Sequence, residues 1–327
     1  MDIRTFSFGY IPDKPDQRDY KFNIPSLSSY PPLVDLRPLL QPIKNQGNLG
    51  ACTAFATTAM AEYVRAKQQL IKWDASPLFT YYSTRKIENT INEDSGAYVR
   101  DALKSAANDG VAKESTWPYI IENFTINPPT SAWDEAQQHQ ALVYYRLNQT
   151  KEDIISCLAD GYPFAFGVKL YQSFADTQTG FLVYNTVPIP NVSTEKLLGG
   201  HCMLAVGYLS GSQGDVTITT RNSWGSWVGL DGYHNIPLEY FLNTSLCMDL
   251  WTIRQEEIAD DVEPPKPEPA TPPEPVTPPE PPKPEPVTPP EPPKPEPVTP
   301  PEPGIWSQPT TYVVIFFIVM LILFTLL

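Results

Sequence analysis

Gln46, Cys52, His201 and Asn222 have the types and the spacing that acyl transfer by a thiol requires. That chemistry needs a nucleophile whose thiolate is stabilised, a base beside it, a group that holds the base, and donors for the oxyanion. Cys52 stands where the turn Gln46-Gly47-Asn48-Leu49-Gly50 passes into the alanine-rich run ACTAFATTAMAEYVRAKQQL. A helix N-terminus favours a thiolate, because its unpaired N–H groups and the helix dipole both stabilise negative charge. Gln46, upstream of Cys52, can offer its side-chain amide to the oxyanion alongside the backbone N–H of Cys52. A cysteine taken alone is more often a small buried hydrophobe, so the assignment depends on its partners. The chain has three histidines. His201 opens an apolar stretch in LGGHCMLAVGY, and Asn222 follows another in RNSWGSW. An Asn carbonyl can accept the imidazole N–H and fix the ring, while a neighbouring indole shields that bond from water. His139 lies in a Gln-rich polar stretch and His234 follows a tyrosine near a turn, so both read as surface or structural residues.

These side chains must be positioned by elements the pattern also predicts. Residues Asn48–Gln69 read as a helix, Ala97–Asn108 as a second ending at Gly110, and Lys151–Ala159 as a third ending at Gly161. Strand signals follow at Tyr162–Leu170, Phe181–Tyr184, His201–Leu209 and Val216–Asn222, all short, apolar and bounded by Gly, Asn or Ser. Helices first and strands second argue for an α+β fold of two lobes.

The net charge is −14. A proline-rich tract with three lysines and eight glutamates carries −5 of it, leaving −9 on the rest. Nucleic acid, which wants a basic stripe, is excluded as a partner. The organisation reads as an arm or short pro-segment over 1–30, a folded domain over 31–262, a stalk over 263–303 and an anchor over 304–327. The stalk repeats PPKPEPVTPPE at 281–291 and 292–302, with PPKPEPATPPE at 264–274. Such a sequence cannot build a core and favours polyproline II. About forty residues at ~3.1 Å each would reach roughly 120 Å. A PxxP-binding partner is an alternative use, but a regular glutamate-bearing repeat suits a spacer better. From Tyr312 to Leu327 no residue is charged, which predicts a single C-terminal transmembrane helix of roughly 24 Å, with Trp306 and Tyr312 at the interface. The N-terminus has no apolar run after a basic start, so no signal peptide is expected and the default topology is a tail anchor with the folded domain in the cytosol. Of the other cysteines, Cys157 and Cys247 read as buried hydrophobes, and Cys202 is expected to stay reduced. No metal or cofactor is called for.

Three stretches resemble the papain family of cysteine peptidases. Gln-Gly-Asn-Leu-Gly-Ala-Cys resembles its nucleophile motif, Gly-His-x-x-x-x-Val-Gly-Tyr its histidine motif, and Asn-Ser-Trp-Gly with Gly232-Tyr233 beyond its asparagine motif. The 149 residues from Cys52 to His201 fall in the family's span of about 130–150. The resemblance covers roughly 30–255, and bacterial and viral members are most similar, among them those of large insect DNA viruses such as the iridoviruses. It implies a helical lobe and a β-barrel-like lobe, with Cys52 meeting His201 and Asn222 in the cleft, and hydrolysis of peptide or protein substrates. It further implies that Gly96 binds substrate backbone and that Trp224 covers the Asn–His bond. Departures are Thr53 after the nucleophile, Gly200 before the histidine, a single glycine at 96, and Trp227 one place early with Val228 in its stead. No long inhibitory prodomain is expected ahead of the domain, which would leave either no zymogen stage or the arm of 1–30 covering the cleft. An inert papain-like binding module displayed on the stalk is the competing reading, disfavoured by the complete quartet.

Overall fold

The computed structural model describes residues 7–21, 29–174, 186–212 and 214–256. The expected strand Phe181–Tyr184, the proline repeat and the C-terminal apolar run lie outside the described residues. Two short strands, β1 (Tyr10–Ile11) and β2 (Leu33–Asp35), precede α1 (Cys52–Lys67). Fifteen of the sixteen residues of α1 are buried. Its many alanines explain how: small side chains let sheet and helices approach it from several sides at little entropic cost. The helix ends in Arg65 and Lys67, cations suited to a C-terminus.

Next comes α2 (Pro77–Glu88), which the apolar periodicity did not announce. Its signals are local instead. Ser76 caps it by accepting the Phe79 N–H at 3.1 Å, Pro77 starts it, and Asn89 closes it in the left-handed region. The strand β3 (Ala97–Tyr98) then leads directly into α3 (Val99–Asn108), so the first two residues of the expected second helix are extended. That helix stops as expected at Gly110, whose φ is +80° and whose Cβ, if present, would lie 1.7 Å from the Ala136 carbonyl oxygen. A short α4 (Thr130–Ala136) completes the helical part, where Leu49, Phe55, Leu78 and Tyr81 form a small core of their own.

The remaining elements are β4 (Ala141–Arg146), α5 (Lys151–Ala159), β5 (Phe164–Tyr171), β6 (Leu197–Ser210), β7 (Val216–Arg221), β8 (Tyr233–Pro237), α6 (Leu238–Leu242) and β9 (Cys247–Glu256). The strands form one seven-stranded sheet in the order β4-β9-β5-β6-β7-β8, with β2 beside β6. Its pairings are antiparallel. The long β6 organises it: its first half pairs with β5 and its second half with β2 and β7. The main core runs between this sheet and α1, and holds Met60, Val64, Phe164, Phe166, Leu204, Tyr208 and Trp251. All four cysteines are buried and free, as expected for Cys157, Cys202 and Cys247. Among the described residues no helix is long and apolar enough to cross a membrane.

Candidate functional site

Cys52 is the first residue of α1, and Ala51 before it supplies no side-chain cap. The first-turn N–H groups therefore stay available, and those of Cys52 and Thr53 lie at the Cys52 sulfur. Backbone N–H groups of Cys202 and Gly9 reach the same sulfur and favour its anion. Burial outweighs them all and pushes the thiol up to about 11.

His201 lies in β6, and Asn222 directly follows the neighbouring strand β7. Leu204 faces Arg221 in their register, which brings the first half of β6 beside the residue just beyond β7. His201 Nε2 stands 2.8 Å from Asn222 Oδ1. The Ser223 backbone N–H also donates to that oxygen, at 2.7 Å. A backbone N–H can only donate, so it fixes which end of the Asn amide is oxygen and makes His201 Nε2 the donor. In the neutral ring the lone pair then lies on Nδ1, which has no hydrogen-bond partner among the described residues. Burial lowers the imidazole to about 4, against a smaller opposing effect of the Asn222 bond. Trp224 stacks on His201 with ring centroids 4.5 Å apart and planes 27° apart. It is fully buried.

Gln46 is fully buried and tied to the same segment. Its backbone N–H donates to the Ser223 carbonyl at 2.8 Å. Ser223 Oγ donates to Gln46 Oε1 at 2.5 Å. The amide nitrogen is thereby turned toward two carbonyl oxygens, Leu49 O at 2.9 Å and Ser7 O at 3.1 Å. Ser223 is a positioning residue that the sequence reading passed over, although it sits inside the asparagine motif.

The Ser7 carbonyl introduces the arm. Phe8 meets His201 and Trp224 edge-on, with centroids 6.4 and 6.0 Å away. Gly9 lies between Gly50 and Gly96, where a Cβ on Gly9 would come 1.8 Å from the Gly50 oxygen. Its carbonyl accepts the Ala97 N–H at 2.7 Å, and β1 continues in parallel alongside β3. Gly96 was expected to bind backbone itself. Its own N–H instead goes to the Tyr81 hydroxyl at 3.1 Å, and the donor to the visiting strand is Ala97. Gly96 contributes room, with φ at +72° and a hypothetical Cβ 2.2 Å from the Gly9 oxygen. Farther on, Tyr10 donates its hydroxyl to Asp249 Oδ2 at 2.6 Å. Asp13 accepts from Trp251 Nε1 at 2.9 Å, and Asp19 is gripped by Arg100 and Arg146 at 2.7 and 2.9 Å. A peptide strand thus runs past Cys52, with one of its carbonyls on the Gln46 amide.

The two other histidines, read as surface or structural, are both buried. His234 is fully buried, and its Nε2 stands 3.2 Å from Asn222 Nδ2. Tyr233 opens β8, and the alternation of that strand turns the His234 ring inward. His139 is structural but buried, with its ring 4.8 Å from that of Trp73 and its Nδ1 3.4 Å from Arg65. Of the displaced pair, Trp227 is exposed and Val228 buried. Among the described residues no cluster of three or more His, Cys, Asp or Glu could hold a metal ion.

Comparison with known proteins agrees with this arrangement. Residues 30–246 match the family described as papain family cysteine protease. The chain is 34% identical over 294 residues to an uncharacterized peptidase C1-like protein of Acanthamoeba polyphaga mimivirus, covering 80% of this chain and 91% of that one. It is 26% identical to cysteine proteinase 3 of Entamoeba histolytica, over 64% of this chain and 63% of the relative. Among solved structures, xylellain, a cysteine protease from Xylella fastidiosa, superposes with a TM-score of 0.71 at 34% identity, covering 76% of this chain and 96% of the other. The α+β architecture, the three motifs and these matches agree, and the chain belongs to the papain family of cysteine proteases.

Proposed function

We propose that this cysteine peptidase hydrolyses peptide bonds with Cys52 as nucleophile, His201 as base and acid, Asn222 as the holder of His201, and Gln46 with the Cys52 N–H as oxyanion donors. The observation that carries the reading is the fixed His201–Asn222 bond, which leaves His201 Nδ1 with its lone pair and no hydrogen-bond partner among the described residues. In the reaction His201 Nδ1 takes the Cys52 proton, and the sulfur attacks the substrate carbonyl carbon. The carbonyl π electrons move onto oxygen, where Gln46 Nε2 and the Cys52 N–H receive them. On collapse the C–N bond breaks and His201 returns its proton to the leaving amine. Water, deprotonated by His201, then cleaves the thioester and regenerates the thiol. Gly96 leaves space for substrate backbone on β3, and Trp224 keeps water from the Asn222–His201 bond.

In the closed form the arm holds the enzyme latent. With the thiol pushed up to about 11 and the imidazole down to about 4, both groups are neutral at pH 7, and no ion pair forms while Phe8 and Gly9 exclude water. The proline tract and the C-terminal apolar run serve as stalk and membrane anchor, with the peptidase domain on the cytosolic side. The test is labelling of the full chain by a thiol-directed epoxide under reducing conditions, read by intact mass, together with hydrolysis of a peptide library. One adduct, cleavage products and loss of both in Cys52→Ala are expected. A folded Cys52→Ala protein that labels and cleaves like the parent would refute the assignment.

A further inference from the structure

A buried imidazole that the mechanism does not use lies directly behind the asparagine. We propose that His234 is a positioning residue for the reaction, accepting a hydrogen bond from Asn222 Nδ2 and so holding the Asn222 carbonyl on His201. The inference rests on the reading of His201 as base.

Its geometry follows from fixed points. Ser223 N–H defines Asn222 Oδ1, so the atom facing His234 is Nδ2, a donor with no acceptor capacity. His234 Nε2 must then present its lone pair, and the ring's proton sits on Nδ1. The result is a directed chain in which His201 donates to Asn222 and Asn222 donates to His234. Each bond polarises the next, so acceptance by His234 strengthens the carbonyl's hold on His201 when that ring becomes cationic. If His234 were absent, the Asn222 amide would keep a buried donor without an acceptor and could turn over, placing N–H against N–H at His201.

The surroundings are shaped for a neutral ring. Gly229 has φ +63°, and a Cβ there would lie 2.4 Å from His234 Cε1. The Phe174 ring also lies against the His234 ring, with centroids 5.3 Å apart. Thr220 on β7 donates its hydroxyl to the His234 backbone carbonyl at 3.1 Å, anchoring the strand that carries it. Burial and the neighbouring His201 both lower His234, to about 3, and His201 is the one titratable group acting on it among the described residues. His234 therefore remains an acceptor throughout the neutral range.

The experiment has two independent readings. In ¹⁵N-histidine NMR of the full chain, His234 should appear as the neutral Nδ1–H tautomer from pH 5 to 8. A protonated His234, or the other tautomer, would overturn the proposal whether or not the enzyme is active. In kinetics, His234→Leu should lower kcat/KM by about tenfold, the scale of one hydrogen bond, and move the basic limb of the pH–rate profile to lower pH. His234→Gln, whose carbonyl can accept in place of Nε2, should restore both. In an Asn222→Ala background, His234→Leu should cost nothing more. An equal loss in that background, or a folded His234→Gln as impaired as His234→Leu, would reduce His234 to packing. Should His234→Leu fail to fold, a folded His234→Gln carries the kinetic test alone, a wild-type profile supporting the proposal and a lost one overturning it. Failure of a folded Gly9→Val protein, whose arm cannot seat, to cleave peptides would instead count against the assignment of Cys52 and His201, leaving the NMR reading intact.

Discussion

Gly9→Val accelerates alkylation of Cys52 by about 5- to 150-fold at pH 7, because the arm can no longer seat. The range corresponds to about 1–3 kcal/mol of overpacking. A single Cβ at Gly9 would meet the Gly50 oxygen at 1.8 Å, and backbone on both sides leaves no flexible neighbour to yield. The Gly9 carbonyl would lose the Ala97 N–H, and Ser7 would leave the Gln46 amide. The rate of iodoacetamide labelling by intact mass measures the effect. A wild-type rate equal to that of Gly9→Val would show that the arm does not restrain the thiol. The wild-type arm should also respond to pH in a defined direction. Burial, then repulsion from Asp249, pushes the Asp13 carboxyl up to about 6 when the arm is seated. In the released arm it returns to an ordinary value of about 3.9. A raised value in the closed form means that protonation favours closure. That contribution is complete below the ordinary value and is lost as pH rises through about 6. Arm release should therefore increase between pH 4 and 6, and Asp13→Asn should flatten that rise.

His201→Ala, measured in the Gly9→Val protein, should lower kcat/KM by about 10²–10⁴-fold, the usual worth of a positioned general base. The two groups cannot ionise together in the closed site, since burial opposes both charges. Admitting water relaxes that penalty for both, lowering Cys52 and raising His201 until the proton passes from sulfur to Nδ1. The open enzyme should alkylate rapidly at neutral pH. The His201→Ala variant should react only as a free thiol ionises, near pH 8.5. Superimposable alkylation profiles with and without His201 would mean that the imidazole does not stabilise the thiolate. The comparison is made in the open variant because closure would mask the difference.

The residues of the site were legible because each sits in a local pattern. A glycine turn before an alanine-rich run places Cys52 at a helix start, one apolar stretch opens at His201, and another closes just before Asn222. The helices α3 and α5 were legible through their terminal glycines at 110 and 161. Less visible was α2, because Leu78, Phe79, Tyr81 and Tyr82 make it buried rather than amphipathic, so it lacks a one-sided stripe. Ser76, Pro77 and Asn89 were its readable marks. The strands β4 and β9 were missed as well. Asp249 and Arg254 interrupt β9, and the register shifts in its pairing with β4 break simple alternation.

By itself the sequence determined the candidates for the chemistry: the proposed quartet, its order, and the sulfur at a helix N-terminus follow from residue type and spacing. Only the tertiary structure decided the state of that chemistry. The seating of the arm depends on glycines at 9, 50 and 96 meeting across more than eighty residues, and on Asp13 and Asp19 finding Trp251, Arg100 and Arg146. The burial of His234 behind Asn222 depends on β7 and β8 pairing in one register, Thr220 opposite His234. No local pattern encodes such contacts, because backbone clearance, desolvation and hydrogen-bond direction are properties of groups brought together by the fold, not of their neighbours along the chain.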